Sequence, residues 1–325
     1  MKAIIHTKYG SPDVLELKEI EKPTPKDNEV LVKIYAASVN ALDWHLLTAD
    51  IFLVRLMGEG LFKPKNTRLG ADMAGRVEAV GSLVKEFQPG DDVFGDIAPW
   101  GYGSFGEYTA VPEKALALKP ANLSFEEAAA VPVAGLTALQ GLRDVGKIQP
   151  GQKVLIQGAA GGVGTFAVQL AKFFGAEVTA VTSARNLEQA LALGADHVVD
   201  YTKEDFTQPG LQYDLILAVN GYHPLSAYKR ALAPQGIYVM AGGTFKQIFQ
   251  AMLLGPRNSK TGGKKMGGVS AKTKKEDLLY LKELLEAGKI VPVIDRRYTL
   301  SETAEALRYL GQGHARGKVV ISVAS

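Results

Sequence analysis

The spacing of apolar residues changes after about the first third of the 325-residue chain. Up to residue 124, short apolar segments separated by Gly and Pro predict a mainly β domain. From residue 153 onwards, strand patterns alternate with helical patterns, which is typical of a parallel sheet covered by helices. The predicted strands are 30–34, 75–80, 92–94 and 106–111 in the first domain, and 154–156, 178–182, 198–199, 215–219 and 237–240 in the second.

The limits of the two domains follow from the helix signals. Ser124 precedes Glu127 and an Ala-rich run, which is a capping box at a helix start. Near the end of the chain, helices predicted at 274–287 and 301–310 precede a strand at 319–323, and we expect these elements to rejoin the first domain. The predicted fold class is therefore α/β, with a doubly wound parallel sheet in 125–272 and a second domain formed by 1–124 and 273–325.

A glycine-rich turn, Gly158-Ala159-Ala160-Gly161-Gly162-Val163-Gly164, joins a predicted strand to a helix predicted at 165–174. Aligned with G-x-G-x-x-G, it has Ala159 at the first glycine position. Gly161 would let the backbone approach a pyrophosphate, and Gly164 would let helix and strand pack closely. An ordinary glycine turn is the alternative. We expect the pyrophosphate of a dinucleotide at the helix N-terminus, against Ala160, Gly161, Gly162 and Val163.

The residues after the second strand of this domain indicate which dinucleotide binds. NAD-dependent enzymes place an acidic residue there to bind the ribose 2′-hydroxyl. This chain has no carboxylate in 182–186, and instead offers the hydroxyl of Ser183 and the guanidinium of Arg185, groups that suit a 2′-phosphate. The sequence thus favours NADPH over NADH, unless Arg185 is only an exposed surface side chain.

At this point the motifs match a family. The chain resembles the medium-chain dehydrogenase/reductases, and within them the zinc-independent quinone oxidoreductase branch that includes zeta-crystallin. The resemblance spans essentially the whole chain. The branch's fingerprint is matched by Gly151-Gln152-Lys153, Leu155, Ala159 to Gly162, Gly164, Gln169 and Lys172. Supporting motifs are Pro89-Gly90-Asp91, Gly103-Ser104-Phe105-Gly106-Glu107-Tyr108, Gly135-Leu136-Thr137-Ala138, Leu193-Gly194-Ala195-Asp196 and His314-Ala315-Arg316-Gly317-Lys318.

The resemblance implies a fold and further cofactor contacts. It implies that the first domain is a GroES-like catalytic domain and the second a Rossmann domain, and it allows a homodimer. It places Thr137 near the nicotinamide and Tyr201 beside Ser183 and Arg185 at the 2′-phosphate. Further cofactor contacts implied by the resemblance are Asn220, Gly242 and Lys318. Asn220 is the weakest of these assignments, because residues 221–224 depart from the family pattern.

The resemblance also bears on metal binding. Zinc-dependent relatives bind the catalytic metal through a Cys and a His-Glu pair, and here these positions hold Asn40 and Ala71-Asp72. The chain has no cysteine, which excludes the sulfur ligands of a structural zinc site. Its five histidines are scattered without ligand spacing. We therefore expect no zinc.

Without a Lewis acid, alcohol oxidation lacks its main catalytic device, whereas a quinone or an enone already delocalises the charge of an incoming hydride. We predict NADPH-dependent reduction of such an acceptor. The candidate catalytic residues are Asn40, Asp43 and Tyr102, with the Tyr102 phenol as proton donor to an enolate. Solvent could supply the proton instead, Asp43 could be a helix cap and Tyr102 a packed aromatic. The rival from another class is a non-catalytic NADPH-binding protein.

Charge and hydropathy limit the partners. The net charge of +3 does not favour nucleic acid, and the N-terminus lacks a signal-peptide pattern, so we expect a cytoplasmic protein. Apolar stretches at 45–62 and 248–254 suggest a cover over the active site, with packed helices or peripheral membrane contact as alternatives. The stretch 256–275 has basic residues and no acid, which makes a polyanion or membrane surface a further alternative. Its basic residues are Arg257, Lys260, Lys264, Lys265, Lys272, Lys274 and Lys275.

Overall fold

The computed structural model describes residues 1–49, 60–208, 210–219, 223–242 and 263–324. The chain forms two compact units. Unit 1 comprises Met1–Val133, Thr273–Gly288 and Pro292–Ser325, and unit 2 comprises Ala134–Lys272 and Lys289–Val291. The domain limits that we predict, 1–124 with 273–325 and 125–272, differ from these units chiefly in the segment after Ser124.

Unit 1 is built on a mixed, largely antiparallel sheet, in which the strands Ile294–Thr299 and Lys318–Ser322 pair in parallel. One long strand, β3 (Glu29–Val39), lies at its centre. β3 pairs with three other strands, and most of its side chains are buried because β-branched and small residues occupy both faces. The sheet order is β14-β15-β3-β4-β5-β7, with β6 also pairing with β3, and β1 and β2 form a separate antiparallel pair. The other strands are β1 (Lys2–Ile5), β2 (Glu16–Glu19), β4 (Asp72–Val80), β5 (Asp92–Asp96), β6 (Tyr108–Pro112), β7 (Leu116–Leu118), β14 (Ile294–Thr299) and β15 (Lys318–Ser322).

In the described part of unit 1, four helices accompany this sheet. The capping box predicted at Ser124 is confirmed, because its hydroxyl accepts the Glu127 N–H at 3.2 Å and the Glu127 carboxylate accepts the Ser124 N–H at 2.8 Å. These helices are α1 (Ala41–Thr48), α2 (Phe125–Ala129), α7 (Lys275–Glu286) and α8 (Thr303–Gly311), and a further helix, α3 (Pro132–Gln140), leads into unit 2.

Unit 2 contains an all-parallel sheet of six strands in the order β10-β9-β8-β11-β12-β13. Numbered within the unit, this is 3-2-1-4-5-6, the order of a dinucleotide-binding Rossmann sheet. The predicted α/β fold class is confirmed. The strands are β8 (Lys153–Gln157), β9 (Glu177–Thr182), β10 (His197–Asp200), β11 (Tyr213–Ala218), β12 (Leu232–Met240) and β13 (Lys265–Gly268), and the helices are α4 (Gly162–Phe173), α5 (Leu187–Ala192) and α6 (Leu225–Ala231).

The apolar stretches that we expect to cover the active site lie largely outside the described residues. Leu47, in α1, is fully buried, whereas Phe62, at the other end of the first stretch, is 90 % exposed. The second stretch, 248–254, falls entirely outside the described residues. Among the helices that the structure describes, none combines the length and the apolar composition needed to cross a membrane.

Candidate functional site

The residue that makes the tight turn after β8 is Gly158, one residue before the first motif position of the sequence alignment. Gly158, which that alignment leaves outside the motif, has a φ of +75°, a conformation that favours glycine. A Cβ on Gly158 would lie 2.1 Å from the carbonyl oxygen of Val219, so even alanine would require the backbone to move. Gly158 therefore makes the tight turn, and the alanine at position 159 is tolerated because it is not the turning residue.

Helix α4 starts at this turn, three residues before the predicted start. Gly161 is its N-cap and Gly162 its first helical residue. The first N–H groups of a helix have no partner within the helix, and Gly162 and Val163 are both half-buried, so their N–H groups can meet a ligand. Phosphate groups suit this position because the helix dipole is positive there.

The two remaining glycines of the turn differ in their surroundings. A Cβ on Gly164 would lie 2.1 Å from the carbonyl oxygen of Gly158 and 2.7 Å from Cα of Ala159, both backbone atoms. A Cβ on Gly161 would meet only the Gly158 oxygen, at 3.6 Å, an ordinary contact. Gly164 is thus required for packing of α4 against the turn after β8, whereas the missing side chain of Gly161 leaves space for a ligand.

The carboxyl ends of β8 and β11 mark the point where the strand order of the unit 2 sheet reverses, which is where open α/β sheets bind ligands. The Val219 N–H donates to the Gln157 carbonyl oxygen at 3.0 Å at this edge. Gly242 follows β12 at the same edge, with a φ of +114°, and no atom of the described residues lies within 4 Å of its missing Cβ. Asn220 lies outside the described residues.

The predicted 2′-phosphate residues also lie at this edge. Ser183 and the exposed Arg185 follow β9, and Tyr201 follows the neighbouring strand β10, with its N–H donating to the Thr182 carbonyl oxygen at 3.1 Å. Tyr201 is 59 % exposed. Asp200, the last residue of β10, is 3 % exposed and accepts the Thr202 N–H at 3.0 Å and its hydroxyl at 2.8 Å, so it does not face the solvent.

In unit 1, Asn40 and Lys318 belong to a buried polar cluster centred on Asp72. One Asp72 oxygen accepts the Lys318 ammonium at 3.1 Å, the Asn40 side-chain N–H at 2.9 Å and the Ser38 hydroxyl at 2.8 Å. The Lys318 ammonium also donates to the Asn40 amide oxygen. Asp72 is 0 %, Lys318 3 % and Asn40 7 % exposed, so this is a buried ion pair whose polar groups bind one another.

Asp43 is fully buried on α1 and binds backbone rather than side chains. One of its oxygens accepts the Asn40 N–H at 2.8 Å, and the other accepts the Gly70 N–H at 3.0 Å. Burial raises the pKa of Asp43 to about 7, and the negative charge of Asp72 adds to this rise, although both N–H groups favour the carboxylate. Burial likewise raises the pKa of Asp96 to about 6, again with a contribution from Asp72.

The raised pKa of Asp43 predicts a dependence of stability on pH. Between about pH 4 and pH 7 the folded state holds a proton at Asp43 that the unfolded state has released, so the unfolding free energy falls as pH rises. We expect Asp43 to lower the unfolding free energy by up to about 1.4 kcal/mol per pH unit as pH rises through this range. Urea unfolding of wild type and Asp43→Asn, measured from pH 5 to pH 8, checks this.

The Asn variant should show a flatter pH dependence than wild type, besides a constant loss of stability from the missing acceptor. Asp27→Asn, which removes an exposed carboxylate, provides the matched control and should leave the slope unchanged. Parallel curves for wild type and Asp43→Asn would show that Asp43 does not change protonation on unfolding.

Tyr102 lies in a turn of unusual backbone geometry. Gly101, Tyr102 and Gly103 have φ values of +105°, +58° and +113°, and for a tyrosine this left-handed conformation is uncommon. The Gly103 N–H donates to the carbonyl oxygens of Leu69 and Gly70, both at 3.1 Å. The turn is thereby attached to the segment whose Gly70 N–H binds Asp43. Strained residues of this kind are concentrated at functional sites.

The structure therefore gathers the predicted residues in two places. Asn40, Asp43 and Lys318 share one region of unit 1 with Asp72. The sequence alone did not reveal that Asp72 binds Asn40 and Lys318. The unit 2 edge carries Ala160 to Val163, Ser183, Arg185, Tyr201 and Gly242, and Thr137 is half-buried on α3. Within the described residues, no group of three or more His, Cys, Asp or Glu side chains could hold a metal ion.

Two family models match the chain, described as an alcohol dehydrogenase GroES-like domain over residues 26–121 and a zinc-binding dehydrogenase over 193–321. The chain is 39 % identical to a 2-methylene-furan-3-one reductase of Solanum lycopersicum, over 99 % of this chain and 79 % of that protein. It is 35 % identical to an NADPH-dependent alkenal/one oxidoreductase, chloroplastic, of Arabidopsis thaliana, with the same coverages. A quinone oxidoreductase structure from Coxiella burnetii superposes with a TM-score of 0.88 at 32 % identity, covering 100 % of this chain and 99 % of that one.

A Rossmann sheet with a glycine turn, joined to a GroES-like unit, defines an oxidoreductase of the two-domain dehydrogenase/reductase class. The relatives make the assignment more specific. The chain belongs to the medium-chain dehydrogenase/reductase family, in its quinone oxidoreductase, zeta-crystallin-like branch.

Proposed function

We propose that this protein transfers a hydride from NADPH to a quinone or an α,β-unsaturated carbonyl compound, without zinc. The observation that carries the proposal is the carboxyl edge of the unit 2 sheet. There a glycine turn opens α4, and Ser183, Arg185 and Tyr201 gather where a ribose-binding acid would otherwise stand. Relatives named for enone, furanone and quinone reduction support the choice of acceptor.

Residues of unit 2 would hold NADPH, which supplies the hydride when it is bound. The N–H groups of Gly162 and Val163 would bind the pyrophosphate, and Gly161 provides the space for it. Arg185 would pair with the 2′-phosphate, with the Ser183 hydroxyl and the exposed Tyr201 ring beside it. Ala160, Thr137 and Gly242 would line the remainder of the site, as the family resemblance implies, and the same proposal extends to Asn220.

In unit 1, the donor groups do not suit a catalytic zinc ion. Ala71 has no ligating atom, and the Lys318 ammonium already binds the Asn40 and Asp72 oxygens that a metal would need. Asn40 uses its amide oxygen for Lys318 and its amino group for Asp72, so we propose that it positions the loop rather than binding substrate. The Lys318 ammonium is likewise directed into this cluster, and Asp43 fixes the start of α1 through backbone N–H groups.

The reaction then needs a proton as well as a hydride. When an enone accepts a hydride at its β-carbon, an enolate forms, and a proton completes the saturated ketone. We propose the Tyr102 phenol as the donor, because its strained backbone fixes the side chain beside the Leu69–Gly70 segment.

We propose the cytoplasm as the location, although the Arabidopsis thaliana relative is named as chloroplastic.

A panel of para-quinones, short enones and enals tests the proposed activity. We expect NADPH oxidation with at least one acceptor class, at a rate that exhaustive treatment with a chelator does not lower, because no step requires a metal. Stopped-flow or steady-state absorbance of NADPH measures the rate of its oxidation. If NADPH binds but none of the panel is reduced, the protein is a non-catalytic NADPH-binding protein. Loss of activity on chelation would contradict the zinc-free mechanism.

The choice of NADPH over NADH is tested separately by binding. We expect wild type to bind NADPH at least about tenfold more tightly than NADH, a difference of about 1.4 kcal/mol. Arg185→Ala should remove most of this preference, because it removes the cation that faces the 2′-phosphate. Lys153→Ala is the matched control, since this exposed lysine starts β8 at the opposite edge of the parallel sheet. Equal wild-type affinities would overturn the assignment.

A further inference from the structure

Unit 1 contains a small cavity to which the proposed reaction assigns no part of the acceptor. It is lined by His6, Tyr9, Leu46, Pro64, Asn66, Arg68, Leu69 and Tyr102, and it has room for about one water-sized group. It is bounded by the segment after β1, helix α1, the segment 64–69 and the Tyr102 turn. Because Asn40 is the N-cap of α1 and Tyr102 is the proposed proton donor, the cavity adjoins the catalytic part of unit 1.

The most unusual wall of this cavity is His6. It is 2 % exposed, and neither of its ring nitrogens has a hydrogen-bond partner among the residues that the structure describes. Burial lowers the pKa of His6, and the backbone carbonyls of Lys8 and Asn66 partly oppose this without completing a hydrogen bond. A buried imidazole without a partner loses the hydrogen bonds that it makes in water, and a ligand group in the cavity would restore one.

Arg68 supplies the charge of the cavity. A Cβ on Gly103 would lie 3.3 Å from Cζ of Arg68, so the guanidinium lies directly over this glycine and beside the Tyr102 turn. No Asp or Glu is among the described residues that line the cavity. Asn66 binds the backbone of Arg68 and of the Tyr102 turn. Its side-chain oxygen accepts the backbone N–H of Arg68 at 3.0 Å, and its side-chain N–H donates to the Gly101 carbonyl oxygen.

We propose that this cavity binds a carboxylate on the acceptor, with one carboxylate oxygen between His6 and Arg68. Among the described lining residues, no acid stands beside the Arg68 guanidinium and no acceptor binds the His6 imidazole N–H, so both groups can donate to a carboxylate oxygen. The size of the cavity suits one oxygen of such a group, with the rest of the acceptor outside it. The preferred acceptors are therefore enones or quinones that carry a carboxylate, and this inference rests on the proposed function.

Binding can be measured without turnover. Butyrate and its neutral analogue butyramide are titrated into the protein while the imidazole NMR signals of its five histidines are followed, with His6 assigned from His6→Gln. We expect butyrate, and not butyramide, to shift the His6 signal, and Arg68→Gln to abolish the shift. Lys65→Gln is the matched control, since it removes an exposed cation nearby that does not line the cavity.

Kinetics provide the second arm. Enones ending in a carboxylate are compared with their methyl esters over a series of chain lengths. We expect a KM at least fivefold lower for one acid than for its ester, with similar kcat, and equal KM values in Arg68→Gln. If no enone is reduced, the proposed function fails while the butyrate titration still decides the cavity. If acids and esters are reduced alike and butyrate leaves His6 unshifted, the cavity holds only water and the proposal is overturned.

Discussion

Replacing Gly164 with alanine should destabilise the protein by about 2 kcal/mol or more, because the new Cβ would lie 2.1 Å from a backbone oxygen. The colliding atoms belong to Gly158 and Ala159, which form the turn after β8, so they cannot move without displacing the turn itself. NADPH affinity should fall as well, since the N–H groups at the start of α4 would shift. Urea unfolding and a cofactor titration measure the two effects.

Gly161→Ala is the matched variant, in the same turn and with the same added methyl group. Its Cβ would have only one neighbour, at 3.6 Å, so the unfolding free energy should stay close to wild type. The methyl group would nevertheless occupy space that we assign to the pyrophosphate, and NADPH affinity should fall. Equal stability of the two variants would contradict the packing role of Gly164, and unchanged NADPH binding by Gly161→Ala would contradict the assigned site.

Replacing Lys318 with methionine should have the largest effect in unit 1, a loss of about 3–5 kcal/mol in unfolding free energy. The change leaves the Asp72 carboxylate, which is 0 % exposed, without the ammonium that balances its charge. The hydroxyl of Ser38 and the amide of Asn40 still donate to it, but neither carries a positive charge. Urea unfolding at neutral pH measures the loss.

A double-mutant cycle separates the ion pair from simple packing. Lys318→Met with Asp72→Asn removes both charges, so it should be more stable than Lys318→Met alone, because no unpaired charge stays buried. Lys318→Arg keeps the charge, so its unfolding free energy should fall less than that of Lys318→Met. A double variant no more stable than Lys318→Met would show that the lysine contributes through packing and not through its charge.

Much of the fold follows from local features of the sequence. The strand and helix alternation from β8 to β12 and the capping box at Ser124 depend on residues a few positions apart, and both are found, whereas the sixth strand, β13, was not predicted. The errors are also local. The prediction started α4 at Thr165 instead of Gly162, because glycines lower helix propensity yet are accepted in a first turn that needs close backbone packing. The site residues at the unit 2 edge follow from this same strand and turn register.

The sequence by itself determined the succession of elements, the glycine turn and the groups after β9, because periodicity and turn chemistry act between neighbours in the chain. Only the tertiary structure decided the partners of Lys318, since Asp72 is 246 positions away in sequence. β15 pairs with β3 and β3 with β4, and these pairings bring Lys318 to Asn40 and Asp72. The cavity of His6 and Arg68 arises in the same way, from segments that meet only when unit 1 has folded. Contacts at such separations depend on which strands pair, and the local sequence around the contacting residues does not specify that pairing.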